Sequence, residues 1–256
     1  MRNIQRHFST VAERYRELRT TDIEPIIYIK EALRENSLIT AADIGCGAGR
    51  YDMQLFHQFG DRLFLYCVDA NKNMLRQLQE FLGQAVPEKF EAIRASAHKI
   101  PLLYNSLDAV FTFNAIHHFQ LPLFFREVFR ILKPGGKVFV YTRLENQNRR
   151  TIWGQFFPLF NEKETRLYRL EELKASILKA GLKIDKIKPF KFSRIASLDW
   201  LIHQAENKHY STFYLYSKKE YQKALNTFKK KIGQNFPHLQ QVKWCDENIL
   251  LILTKN

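Results

Sequence analysis

From about residue 37 the apolar positions of this chain alternate between two spacings. "SLITAADIG" (37–45) is a short apolar run closed by glycine, and "AGRYDMQLFHQF" (48–59) has helical spacing. "LFLYCVDA" (63–70) is again a continuous run, ending in a carboxylate. "NKNMLRQLQEFLGQ" (71–84) returns to helical spacing, with Asn71 placed as an N-cap. "FEAIRAS" (90–96) and "LDAVFTFNA" (107–115) read as strands, "LPLFFREVFRILKPGG" (121–136) as a helix stopped by Pro134 and two glycines, and "KVFVYTRL" (137–144) as a strand. Strands alternating with helices predict a parallel sheet covered on both faces, and the near-continuous apolar strands fit burial on both sides. Ligands in such folds bind beyond the carboxyl ends of the strands, so the residues just after each strand are the informative ones.

The flanks read differently. Residues 1–36 predict mostly polar helix, with a turn near TTDIEP and a second helix from Pro25. After Leu144, "ENQNRRTIWGQFFPLFNEKE" (145–164) is aromatic and irregular, a length of loop that is usually functional or disordered. A helix over 170–180, a strand "LKIDKIKPFKF" (182–192), helices over 197–208 and 217–232 and a closing strand "DENILLILT" (246–254) complete the expectation. There is no repeat or low-complexity linker, which predicts one domain over 1–256 with a helical insertion before the last strand.

Composition narrows the class. The 256 residues are 45% hydrophobic and 26% charged, as in a globular chain able to bury a full core. No stretch approaches the ~18 apolar residues of a membrane span. The start lacks a signal-peptide pattern, and Glu13 and Glu17 argue against a transit peptide, so a cytoplasmic protein is expected. Cys46, Cys67 and Cys245 form no CxxC and no metal-ligand spacing; they read as reduced thiols, and no metal is expected. The net charge of +14 is concentrated after residue 142. A basic half suits a nucleic acid, an acidic membrane surface, or simply a lysine-rich solvated face.

The chemistry concentrates in "TAADIGCGAGRYD" (40–52). Gly45, Gly47 and Gly49 put the third glycine one residue early for a dinucleotide fingerprint, and no Gly-Lys-Ser/Thr follows as in a P-loop. Asp69 ends the second strand 24 positions after Gly45, near the ~20-residue spacing at which a carboxylate accepts hydrogen bonds from ribose hydroxyls.

"DIGCGAGR", followed by "VDANKNML", "SAHKIPLLYNSLDAVFTFNAIHHF" and "FREVFRILKPGGKVFVYTR", resembles the class I S-adenosylmethionine-dependent methyltransferases, and within them the small-molecule branch related to quinone-biosynthesis enzymes. The resemblance covers residues 8–143. It implies an α/β, Rossmann-like doubly wound seven-stranded sheet, mostly parallel with an antiparallel last strand. N-terminal helices and a helical insertion before the last strand would complete it. Residues 37–143 would be the cofactor-binding core, and 144–170 and 193–242 lid or substrate-cover segments. It implies S-adenosylmethionine as cofactor, leaving as S-adenosylhomocysteine.

The resemblance also implies residue roles. Gly45, Cys46, Gly47 and Gly49 would approach the methionine half, with Asp43 below reaching its amino group. Asp69 would hold the ribose, Ala70 and Met74 would pack on adenine, and Asn114 would line the methionine side. Tyr15 and Arg19 match a pair that closes over the methionine carboxylate. The family usually has an acidic residue after the third strand for the adenine amino group; here Ser96-Ala97-His98 stands there, and Ser96 offers a neutral acceptor.

Cofactor chemistry suits a loop without lysine, because S-adenosylmethionine has no phosphates. The protein must align a nucleophile with the methyl group and exclude water, and needs a base only for a poorly ionised nucleophile. His117 and His118 are candidates for that base; the alternative is that they cap the next helix and pack. Tyr141 and Arg143, at the end of the fifth strand, are expected to point towards the site as substrate residues, and Arg143 could hold a substrate carboxylate or belong to the lid scaffold. Trp153 and Phe157 could wall a substrate or pack the segment onto the insertion. The expected partner is a small-molecule methyl acceptor, with the chain a monomer or homodimer. An RNA methyltransferase is the alternative, favoured by the basic half but lacking an NPPY-type tetrapeptide where this chain has NAIH. A non-catalytic protein on the same fold is a third reading.

Overall fold

The short apolar runs pair as the alternation predicts. In a computed structural model, which describes residues 20–256, they form β1 (Ile39–Ile44), β2 (Leu63–Asp69), β3 (Phe90–Arg94), β4 (Leu107–Phe113) and β5 (Leu132–Thr142). With β6 (Leu182–Ala196) and β7 (Val242–Lys255) they make one seven-stranded sheet of order β3-β2-β1-β4-β5-β7-β6. The first five strands pair in parallel, and β7 runs antiparallel to β5, with Lys137 opposite Thr254 and Thr142 opposite Ile249. The strand order reverses at β1, which lies between β2 and β4. In a doubly wound sheet the ligand is taken at the carboxyl ends of the strands beside such a reversal, here β1 and β4.

Helices follow the strands: α1 (Glu24–Ala32) precedes β1, and α2 (Arg50–Phe59), α3 (Lys72–Ala85) and α4 (Leu121–Ile131) connect the parallel strands. Asn71 caps α3 as expected, its Oδ1 accepting from the amides of Asn73 at 2.9 Å and Met74 at 3.2 Å. One boundary differs from the sequence expectation. α4 stops at Ile131, and Pro134-Gly135-Gly136 lies inside β5. Proline disfavours helix in the residue before it, and Leu132 is already extended. The register then jumps, Leu107 facing Leu132 but Ala109 facing Lys137, so these residues form a bulge that Gly135 closes with a φ of 76°.

By its internal contacts the described chain divides into a sheet unit (20–142, 170–188 and 249–256) and a helical unit (143–169 and 189–248). The sheet unit has its core in fully buried strand residues such as Val110, Phe111, Phe139 and Leu251, and α4 packs on α8 (Leu170–Lys179). The helical unit holds α5 (Glu145–Asn148), α6 (Ile152–Phe156), α7 (Phe160–Lys163), α9 (Leu198–Glu206) and α10 (Lys218–Asn235).

Residues 145–164 are a correction: the irregular loop expected there is three short helices. Helices of four or five residues leave no periodicity to read. They are held instead by local caps and burial. Thr151 caps α6 by accepting from the Gly154 amide at 3.0 Å, and Trp153 stacks on Phe228 with centroids 5.0 Å apart. Among the described residues no helix is long and apolar enough to cross a membrane.

Candidate functional site

The turn after β1 is built from backbone that only glycine adopts readily. Gly45, Gly47 and Gly49 have φ values of 81°, 58° and 81°. Two of the three are also required by packing. A Cβ on Gly45 would lie 2.5 Å from the Ala115 Cβ, and one on Gly49 would lie 3.2 Å from Leu78 Cγ. The amides of Gly45 and Cys46 donate to the Val68 carbonyl at 2.8 and 3.2 Å, tying the turn to β2.

Asp69 completes that tie. Its Oδ2 accepts from the Gly47 amide at 3.0 Å and its Oδ1 from the Asn71 amide at 2.7 Å. Each carboxylate oxygen has a second lone pair, so the group can also accept from a diol. Burial pushes its pKa up, and the amides of Asn71, Gly47 and Ala70 partly offset this.

Beneath the turn lie two buried carboxyl groups. Asp43 on β1 is 1% exposed and Asp52 in the first turn of α2 is 0% exposed. They lie within hydrogen-bonding reach of each other, and among the described residues the Asp52 oxygens and Asp43 Oδ1 have no side-chain partner outside the pair. Burial pushes Asp43 up to about 7, and burial together with the Asp43 charge pushes Asp52 well above the carboxylate range. Cys46 and Cys67 are both buried, and burial followed by the nearby carboxylates pushes both thiols up. They remain protonated, against a redox role for Cys46.

The end of β4 forms the neighbouring wall. Asn114 is held at a φ of 53°, its amide donating to the Tyr141 carbonyl at 2.8 Å. Its Nδ2 donates to the Tyr51 hydroxyl at 3.4 Å, and Tyr51 stacks on Phe113 with centroids 4.4 Å apart. His117 and His118 follow in one turn of 3-10 helix, both partly exposed, with ring centroids 4.0 Å apart. After β3, Ser96 Oγ lies 2.9 Å from His98 Nδ1, and Ala97 is partly exposed. Ala70 is exposed, whereas Met74 is 1% exposed, within the interior.

The structure thus joins Asp43, Gly45, Cys46, Gly47, Gly49 and Asp69 in one connected turn. The four residues expected to meet a substrate have other contacts. Tyr141 is fully buried, its hydroxyl donating to Asp22 Oδ2 at 2.7 Å, which accounts for it as core. Arg143, in the helical unit, is engaged by the Tyr210 hydroxyl at 3.3 Å and Asp246 at 3.4 Å, a scaffold arrangement. Trp153 and Phe157 are 3% and 2% exposed in the same aromatic core as Phe213 and Phe228, so packing rather than a substrate wall explains them here. Tyr15 and Arg19 lie outside the described residues.

Sequence reasoning missed Asp52 and Tyr51. The signal for Asp52 was present: positions 52, 55, 56 and 59 form one buried stripe of α2, and a carboxylate on an apolar stripe is an anomaly.

The residues fit S-adenosylmethionine. The turn and the carboxyl groups below it supply acceptors and negative charge and no phosphate-binding cation, which suits a cationic, phosphate-free nucleoside. Asp69 would take the ribose and Asp43 the amino end. Among the described residues no cluster could hold a metal ion.

Residues 42–140 match the family described as a methyltransferase domain. A tRNA (carboxymethyluridine(34)-5-O)-methyltransferase of Macaca fascicularis is 28% identical over 138 residues, which is 52% of this chain and 19% of that protein. Phosphoethanolamine N-methyltransferase 1 of Arabidopsis thaliana is 32% identical over 100 residues, 38% of this chain and 20% of that protein. The chain therefore spans about a fifth of the length of these two relatives. Among solved structures, an Anabaena variabilis protein described as a methyltransferase of an antibiotic biosynthesis pathway superposes with a TM-score of 0.66 at 24% identity, covering 93% of this chain and 99% of that one. With its sheet order, its antiparallel last strand and its glycine turn closed on Asp69, this chain has the class I methyltransferase fold, and its residues 42–140 match a methyltransferase domain.

Proposed function

We propose that the chain transfers a methyl group from S-adenosylmethionine to an O, N or C atom of a small-molecule acceptor. The observation that carries this is the Gly47–Asp69 hydrogen bond, which fixes a phosphate-free turn against a ribose-binding carboxylate at the sheet's switch point. The cofactor supplies an electrophilic methyl group on a sulfonium. The chain's part is to hold and orient. Asp69 accepts from the ribose hydroxyls, and Asp43 and the turn from Gly45 to Gly49 meet the methionine half. Ala70, Met74, Ser96 and Ala97 border adenine, and Asn114 lines the reacting side. His117 or His118 takes a proton where the acceptor is a phenol or carbon acid. The small-molecule assignment is supported by the likeness to phosphoethanolamine N-methyltransferase. Incubation with methyl-labelled S-adenosylmethionine and cell extract, followed by mass spectrometry, tests it: label in a small molecule is expected, and no label in any fraction would reject it.

A second reading, methylation of tRNA, is favoured by the likeness to the tRNA enzyme and by the basic surplus after residue 142. A filter-binding salt series separates the two, because tight tRNA binding that weakens steeply with salt belongs only to the second.

A further inference from the structure

Two buried carboxyl groups in contact, with no cation beside them, cannot both be ionised. Asp43 and Asp52 are in that position. Both are essentially inaccessible, neither has an ion pair among the described residues, and three of their four oxygens have no side-chain partner there outside the pair. Unpaired buried acceptors of this kind are rare in folded proteins and call for a proton or a ligand. Among the described residues the surroundings supply no counter-charge. Asp69 on β2 adds a like charge, and among the described residues Cys46 in the turn and Cys67 on β2 are the other titratable groups that feel the pair. Arg50, in the same turn of α2, lies over the Tyr51 ring and reaches Thr21 Oγ1 at 3.1 Å. On the elements packed against α2, Glu24, Lys30 and Glu31 of α1 are exposed, as is Asp61, while Arg62 is taken up by the Leu33 and Asn36 carbonyls.

We propose that Asp52 is a neutral carboxylic acid that donates a hydrogen bond to Asp43, and that Asp43 gives up a proton to solvent when the cationic methionine end of the cofactor binds. Asp52 is a positioning residue: it orients Asp43 and keeps its charge available while itself staying uncharged. This rests on the cofactor reading above. Its consequence is that cofactor affinity rises with pH. With Asp43 titrating at about 7 in the free protein and ionised in the complex, affinity rises about fivefold between pH 6 and 7. That range lies below the titration of the ligand's own amino group, near about 8.

Calorimetric titration with S-adenosylhomocysteine over this range, in phosphate and in Tris at each pH, reads both affinity and protons released. The wild type is expected to release a fraction of a proton and to show the fivefold rise. Asp52→Asn, which keeps a donor, is expected to reproduce that profile. Asp52→Leu, which removes the donor, is expected to move the midpoint up and to recover affinity at higher pH, a shift that a merely structural role would not produce. A wild-type enthalpy independent of buffer overturns the proposal, as does an Asp52→Asn protein that releases no proton, since the proton would then belong to Asp52. If Asp52→Leu does not fold, those two measurements still decide. Absence of binding at every pH overturns the cofactor reading instead, and is distinct from binding without proton release.

Discussion

The amide of Gly47 donates to Asp69 Oδ2 at 3.0 Å, joining the middle of the glycine turn to the end of the neighbouring strand. The turn is thus shaped before any ligand arrives, by the same carboxylate assigned to the ribose. Asp69→Ala removes the acceptor and leaves the amide without it. We expect the Gly47 amide to exchange with deuterium at least about tenfold faster in the variant, corresponding to the ~1.5–3 kcal/mol of a hydrogen bond to a charged group. Unchanged protection would mean that the turn is held by its links to Val68 alone.

The carboxyl pair makes stability depend on pH in an unusual direction. Asp43 and Asp52 keep protons in the folded chain that they lose in the unfolded chain above about pH 4. Between there and about 7, where Asp43 titrates, the folded state binds more protons, so these groups lower stability as pH rises. Asp52→Asn removes one of the two retained protons. Urea denaturation between pH 4 and 7 is expected to show a slope flatter by up to ~1.4 kcal/mol per pH unit in the variant. Parallel profiles would mean that Asp52 titrates normally.

Two glycines give opposite expectations. Gly45→Ala forces a Cβ to within 2.5 Å of Ala115 at a positive φ, and is expected to cost about 2 kcal/mol or more. Gly83, inside α3, has no atom within 4 Å of its would-be Cβ, so Gly83→Ala is expected to stabilise by about 0.5–1 kcal/mol. Chemical denaturation of both variants checks the pair.

Trp153 is expected to behave as a core residue. Its ring meets Phe213 at 5.4 Å and Phe228 at 5.0 Å, so Trp153→Ala is expected to lower stability by about 3–5 kcal/mol. Thermal unfolding of the variant measures this; a change under about 1 kcal/mol would leave the ring free for another role.

The parallel strands and their helices were legible because β1, β2, β4 and β5 are apolar runs between helices with clear caps, Asn71 among them. The turn and Asp69 were legible because glycine spacing and a strand-end carboxylate have few alternatives. Residues 145–164 were not, since their short helices depend on Thr151 and on aromatic burial contributed by Phe213 and Phe228, some 60 or more positions away. Asp52 was hidden for a different reason: an acid in the first turn of a helix is ordinary, and only its place on the buried stripe sets it apart. Pro134 marked the end of α4 correctly in kind, but the glycines after it serve a bulge within β5 rather than a helix cap.

Titration of S-adenosylhomocysteine into the wild type and Asp69→Ala, at the pH of tightest wild-type binding, tests the cofactor site most directly. The account predicts saturable binding by the wild type and at least about a tenfold loss in the variant, the effect of removing a charged hydrogen-bond acceptor. No binding by the wild type, or equal binding by both proteins, would contradict it.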